Sequence, residues 1–261
     1  MSMSAQTTQW GPVSVDVHAQ WAEITLSRPP ANALDPSTVD ALHSALDFID
    51  AHDDIGGYVL RGRPKMFSAG LDVVALQPLG RDAMRLFWQR FASLFMRLYT
   101  TSKISVACIE GHAPAGGCVL AIACDYRVMA NGPYKIGLNE VAVGLAVPGW
   151  LTEVYVDLIG RRHAERALQL GEMMSPQRAH AIGLVDEVVP LALAMDKACA
   201  ELSLRLKSPP LARGLTKTAL RAAVAERLNQ RQQAELEPLL DVWFADECRS
   251  VMAALVARLK G

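Results

Sequence analysis

No apolar run in this 261-residue chain approaches the ~20 residues needed to span a bilayer, so a membrane-embedded protein is not expected. Met1 to Thr8 is short and polar, with neither an apolar signal region nor an Arg-rich amphipathic stretch. No targeting segment is therefore expected, and the plain expectation is a cytoplasmic protein. An excess of one charge is missing too. With 26 basic and 27 acidic residues the formal net charge is −1, which leaves no bulk footprint for nucleic acid or an anionic membrane. Local basic residues remain available for a small anionic ligand. Cysteine is sparse: five, an odd number, with no disulfide or zinc spacing. That pattern fits a reducing compartment and argues against a metal site; Cys118 and Cys124 read as small core residues. Ser68 lies outside any G-x-S-x-G elbow. The run from Gly111 to Gly117 lacks both the phosphate-loop Lys and the dinucleotide G-x-G-x-x-G pattern.

What is present is core material and punctuation. Half of the residues (51%) are hydrophobic, enough for one large globular domain with or without an appendage. Val13, Val15 and Val17 alternate with polar residues, and Trp21 to Leu26 follows a short turn, which predicts two strands. Asp35-Pro36 reads as an N-cap followed by proline at the first helical position; Val39, Leu42, Leu46 and Ile49 then mark one buried face. Tyr58–Arg61, Ile104–Glu110, Tyr126–Met129 and Tyr134–Gly137 are expected as further strands, Gly62–Ala69 as a loop, and Arg81–Tyr99 as an amphipathic helix. A glycine-containing helix is expected from about Ala115. Strands interleaved with helices argue an α/β fold. From about Leu191 strand signals vanish and two or three helices are expected, with Pro209-Pro210 ending the first. The chain is thus divided into a core of residues 1–190 and a helical region of 191–261.

Three segments interrupt apolar sequence with glycine and polar residues: Phe67 to Asp72 (FSAGLD), Pro114 to Cys118 (PAGGC), and Gly137 to Glu140 (GLNE). Each falls where a strand ends and a turn or helix begins. Glycine at such a junction lets backbone N–H groups face a ligand unobstructed. Two converging junctions would make a pair of donors for a developing oxyanion; equally, both are compatible with ordinary tight turns. Glu140 stands among aliphatic residues, so it is either a surface or capping residue or a carboxylate whose pKa is raised for proton transfer. Local sequence alone favours the surface. His112 reads as a loop or packing residue before it reads as a base, and Trp88, Phe91, Phe95 and Tyr99 as a packing stripe that also has the spacing to border a ligand. Trp150 has a core role or shapes a pocket.

In this order the segments resemble the crotonase (enoyl-CoA hydratase/isomerase) family. Ala31-Asn32-Ala33-Leu34 after a double proline, then FSAGLD, AGG, and Cys124-Asp125-Tyr126-Arg127 carry the resemblance. Gly160-Arg161 with Ala164, Ala167 and Leu168, and the later Gly183-Leu184-Val185-Asp186, extend it. Within the family the runs FSAGLD, PAGGC, CDYR, IGLNE and ERALQLG are most similar to the mitochondrial-type Δ3,Δ2-enoyl-CoA isomerase branch. The resemblance implies a spiral of ββα units with a C-terminal helical region that packs in a trimer, or a dimer of trimers. It implies an oxyanion hole from the N–H groups of Leu71 and Gly116, and Glu140 as the catalytic acid/base. Ala69 and Asn139 would line the substrate site, with Ala31 and Lys65 along the coenzyme A moiety. No metal and no separate cofactor is implied, since coenzyme A arrives with the acyl substrate.

Hydratases of the family carry a second glutamate at the position of Val119, and valine can neither activate water nor deliver a proton. Double-bond migration from a 3-enoyl to a trans-2-enoyl thioester, in fatty acid β-oxidation, needs only one carboxylate. The expectation is therefore an isomerase, with an enoyl-CoA hydratase and a non-catalytic acyl-CoA-binding protein as the alternatives. Arg205, Lys207, Arg213, Lys217 and Arg221 are read either as partners for coenzyme A phosphates or as a solvated helix face.

Overall fold

A computed structural model describes residues 7–260; most of the Met1–Thr8 stretch therefore lies outside the described residues. The chain opens with an antiparallel meander of β1 (Thr7–Trp10), β2 (Val13–Val17) and β3 (Trp21–Leu26). In β2 and β3 alternate residues are buried, Val13, Val15, Ala22, Ile24 and Leu26 among them. Helix α1 (Pro36–Asp50) begins as its sequence predicts: Asp35 accepts from the Thr38 N–H at 2.8 Å, and Pro36 occupies the first turn.

A threefold pattern follows. β4 (Gly57–Arg61) is succeeded by β5 (Lys65–Met66), then α2 (Val73–Leu76) and α3 (Arg81–Thr100). β6 (Ile104–Ile109) is succeeded by β7 (Gly111–Pro114) and α4 (Gly116–Ala123). β8 (Tyr126–Ala130) is succeeded by β9 (Ile136–Gly137), a 3-10 turn over Glu140–Val143 and α5 (Gly149–Ile159). In each round the first strand joins a seven-stranded sheet of order β1-β2-β3-β4-β6-β8-β10, and the second joins a three-stranded sheet of order β5-β7-β9. From β3 onward all pairings are parallel. This is the expected spiral of ββα units. The chain continues through α6 (Arg161–Leu170), α7 (Pro176–Ala181), β10 (Glu187–Val189), α8 (Ala194–Leu206), α9 (Pro210–Phe244) and α10 (Asp246–Lys260).

Two expectations need correction. The segment read as a loop, Gly62–Ala69, contains β5, and the glycine-rich run contains β7. Strands of two and four residues are too short to show a period-2 pattern, and they persist because each is paired in register, Lys65 with Gly111 and Ala113 with Ile136. Beyond residue 190 the chain is helical, as its composition implies, and its helices pack on the core. Helix α8 lies against β4, β6 and β8, burying Ala194, Ala198 and Leu202 at four-residue intervals. Helix α9 packs on α3 and α5. Among the described residues no helix is long and apolar enough to cross a membrane.

Helix α4 is buried on all sides, every residue from Gly116 to Ala123 included. A helix that is apolar all round can only sit inside a core, so its N-terminus is held centrally by packing. That end is part of the site.

Candidate active site

The three-stranded sheet explains why the three singled-out segments meet. They follow the C-terminal ends of β5, β7 and β9, neighbouring parallel strands. Parallel strands place their outgoing loops side by side, where open α/β sheets bind ligands. One cavity of about 90 Å³ results, lined by Leu71, Gly116, Val119, Asn139 and Glu140 together with Trp88, Phe91, Val143, Leu145, Met252 and Leu255 among others.

The first turn is fixed by side-by-side pairing of 31–34 with 69–72. The Ala69 N–H donates to the Ala31 carbonyl at 2.9 Å, Leu34 N–H to Gly70 O at 2.8 Å, and Asp72 N–H to Leu34 O at 3.0 Å. Asn32, buried, ties the base of the turn by donating its amide to Leu26 O and Phe67 O at 3.0 and 3.2 Å. In this parallel bridge the Leu71 N–H points away from Leu34, and among the described residues it has no protein acceptor. The Gly116 N–H, first in α4, also has none.

These two donors are neighbours because glycine permits it. At Gly70 (φ +85°) a Cβ would lie 2.8 Å from the Gly116 nitrogen, and at Gly116 one would lie 3.1 Å from Gly70 Cα. Ala115 holds a positive φ of 46°, costly for an L-residue. Its N–H is anchored to Gly137 O at 2.8 Å, which joins the second turn to the third. The result is two free N–H groups at a helix N-terminus, where partial positive charge favours an anion.

Glu140 opens the 3-10 turn that ends at Gly144, whose φ is +76°. The carboxylate is buried (8% exposed) and Oε2 has no hydrogen-bond partner among the described residues. Desolvation by the aliphatic walls raises its pKa from 4.5 to about 7. The surface reading that local sequence favoured is thus overturned by residues far away in the chain. Asn139 Oδ1 is likewise buried without a partner.

The other sequence-derived candidates separate cleanly. Ala31 and Ala69 pair beside the cavity, half-buried, without lining it. Lys65 is exposed on β5, an edge strand. Trp88 and Phe91 line the cavity, whereas Phe95 and Tyr99 stack on one another in the core, with Trp150 5.1 Å from Phe95. His112 packs edge-on against Tyr134. Cys118 and Cys124 are buried free thiols, pushed up in pKa by burial.

The tail cations are neither a solvated face nor free for phosphates in the two cases that matter most. Lys217 Nζ reaches Asp125 Oδ2 at 2.7 Å and Lys103 O at 2.8 Å, and Arg221 pairs with Asp125 Oδ1 at 2.8 Å. Arg205 lies over the Tyr126 ring, Arg213 caps the carbonyls at the end of α8, and Lys207 is exposed. Sequence reasoning missed Met252 and Leu255. Their helix carries ordinary apolar spacing, and nothing local says that α10 returns to the site.

The sequence model of the Enoyl-CoA hydratase/isomerase family matches residues 16–260. The chain belongs to that family. It is 38% identical to "Enoyl-CoA delta isomerase 1, mitochondrial" of Mus musculus, over 92% of this chain and 83% of that protein. The crystal structure of human mitochondrial delta3-delta2-enoyl-CoA isomerase superposes with a TM-score of 0.90 at 33% identity, covering 95% of this chain and 98% of the other. A hydratase is also similar: the 2,3-dehydroadipyl-CoA hydratase of Escherichia coli K12, 30% identical over 83% of this chain and 85% of its own length. Family membership alone therefore spans isomerases and hydratases.

Proposed function

We propose that this protein is a Δ3,Δ2-enoyl-CoA isomerase, with Glu140 as the single group that takes and returns the proton, acting in the β-oxidation of unsaturated fatty acids. The observation that carries the reading is one buried carboxylate, its Oε2 unpartnered among the described residues, sharing a cavity with two N–H groups that have no acceptor among those residues. Glu140 removes a proton from C2 of a 3-enoyl thioester. The C2–H electrons move towards the thioester carbonyl, and the enolate oxygen accepts from the Leu71 and Gly116 N–H groups. Protonated Glu140 then gives the same proton to C4, leaving the trans-2-enoyl thioester.

Each part has a physical role. One donor of this kind contributes about 3–4 kcal/mol to the transition state in acyl transfer. A pKa of about 7 leaves the carboxylate basic enough to abstract and, once protonated, acidic enough to return the proton. The apolar walls that raise it also exclude bulk water. Val119, 1% exposed, faces the same cavity without any group to activate water. That favours isomerisation over hydration.

Coenzyme A comes with the substrate in this reading and no separate cofactor is required. Ala69 and Asn139 flank the thioester in this reading, and Ala31 and exposed Lys65 lie along the coenzyme A portion. Self-association as a trimer, or a dimer of trimers, belongs to the same reading; Leu211 and Leu215, 75% and 63% exposed and one turn apart on α9, would be available to such a contact.

A parallel assay decides the reaction. With 3-hexenoyl-CoA the conjugated thioester absorbance should appear; with crotonyl-CoA it should persist. Loss of absorbance from crotonyl-CoA without turnover of 3-hexenoyl-CoA would make the protein a hydratase, and binding without either would make it a non-catalytic acyl-CoA binder.

A further inference from the structure

Trp88 stands between two cavities. On one side it walls the cavity of about 90 Å³ around Glu140. On the other it walls a cavity of about 160 Å³ between α3, α5 and α9, with Ala92, Trp150, Leu236 and Leu239 as its apolar lining. The indole is 4% exposed and its Nε1 has no hydrogen-bond partner among the described residues. Its neighbours are aromatic edges, Phe87 and Phe91 at 6.0 Å and Trp243 at 6.5 Å between centroids. Shape, not a polar anchor, therefore holds the ring in place.

We infer that Trp88 is the end-stop that sets acyl-chain length, its indole being the partition between the cavity around Glu140 and the cavity between α3, α5 and α9. The inference rests on reading the first cavity as an acyl-CoA site. Sizes support it. An apolar cavity of about 150 Å³ is what accommodates a benzene-sized group, so 90 Å³ holds the reacting carbons and a short continuation. Beyond the indole there is more room than before it.

The second cavity has an apolar side, against Trp88, and a polar one made by Gln89, Ser93, Asn229, Gln232, Gln233 and Glu235. Two of these polar residues are already engaged. Gln232 donates to Ala92 O at 3.3 Å, and Glu235 accepts from the Gly149 N–H at 2.6 Å and from Arg231 at 2.9 Å. Entry of methylenes would not strip these groups of partners. Each methylene given apolar room strengthens binding about four-fold, so joining the cavities selectively favours longer chains.

The test compares kcat/KM for 3-dodecenoyl-CoA and 3-hexenoyl-CoA in the parent, Trp88→Leu and Trp88→Phe. The ratio of long to short is expected to rise at least ten-fold in Trp88→Leu and at least three-fold in Trp88→Phe. If Trp88→Leu does not fold, judged by its thermal transition, Trp88→Phe carries the test. A ratio within two-fold of the parent in the folded variant overturns the inference. If the parent turns over neither substrate, the proposed reaction fails instead. The same ratio is then read from the dissociation constants of dodecanoyl-CoA and hexanoyl-CoA, with the same thresholds.

Discussion

Two acidic residues near the core show opposite solutions to the same problem. Asp125, just before β8, is surrounded by donors: the Ser105 N–H at 2.8 Å, Ser105 Oγ at 3.2 Å, Lys217 and Arg221. Glu140, just after β9, has a buried oxygen, Oε2, with no donor among the described residues. A buried charge is costly unless paired and hydrogen-bonded. Asp125 is satisfied and ties α9 to the large sheet; Glu140 is left unsatisfied and its proton affinity rises. The first carboxylate serves architecture; the second is the one proposed for chemistry. It follows that the CDYR run contributes a clamp while the LNE run contributes a carboxyl of raised proton affinity.

The comparison can be broken most severely at Glu140. Glu140→Gln keeps the volume and removes the base, so turnover of 3-hexenoyl-CoA should fall by at least about a thousand-fold. Calorimetric affinity for hexanoyl-CoA should change less than three-fold. Activity within ten-fold of the parent would remove Glu140 from the mechanism.

At Asp125 the effect should fall on stability. Asp125→Ala leaves Lys217 buried and unpaired beside Arg221, and breaking a buried pair this way costs about 3–5 kcal/mol. For a chain of this size the thermal midpoint should drop by about 10 °C. An unchanged midpoint would show that the clamp is ornamental. The fate of residual turnover in this variant separates the two carboxylates further, because nothing in the cavity around Glu140 is removed.

Glu140→Gln should meanwhile stabilise the protein, in the opposite sense to Asp125→Ala. A carboxyl whose pKa is raised on folding, from 4.5 to about 7, binds more protons folded than unfolded across that interval. Stability therefore falls as pH rises from 4.5 to 7, then stays lower by about 3 kcal/mol. Urea unfolding should find the variant more stable by about that amount at pH 8 and equal to the parent at pH 4. The same titration should make kcat/KM rise with pH through about 7 and then level off.

The smallest effect is expected at Leu71. Its proposed contribution is the backbone N–H, so Leu71→Met should alter kcat/KM for 3-hexenoyl-CoA less than three-fold. A hundred-fold loss would assign the work to the side chain.

Legibility followed the range of the causes. Helix α1 could be read from Asp35-Pro36 and four spaced apolar residues because cap and stripe are local. The strands β2, β3, β4 and β6 were legible from alternation or apolar runs. β5 and β7 were not, since a strand of two to four residues exists only by virtue of its partner. In the site, the glycine turns were visible as candidate donors, and resemblance to a family singled out Glu140. Neither disclosed that Met252 and Leu255 close the cavity, or that Lys217 and Arg221 are spoken for by Asp125.

What the sequence determined by itself was the set of local possibilities: where glycine allows two backbones to touch, where a cap starts a helix, and that Val119 brings no second acid. Tertiary structure decided which possibilities came together in one cavity. Proton affinity depends on the full surroundings of a group, and the cavity around Glu140 draws on α2, α3, α4, α5 and α10, at chain positions from Leu71 to Leu255. Desolvation is a sum over neighbours in space, so only folding could turn a glutamate with a surface-like local sequence into a buried carboxyl of raised pKa.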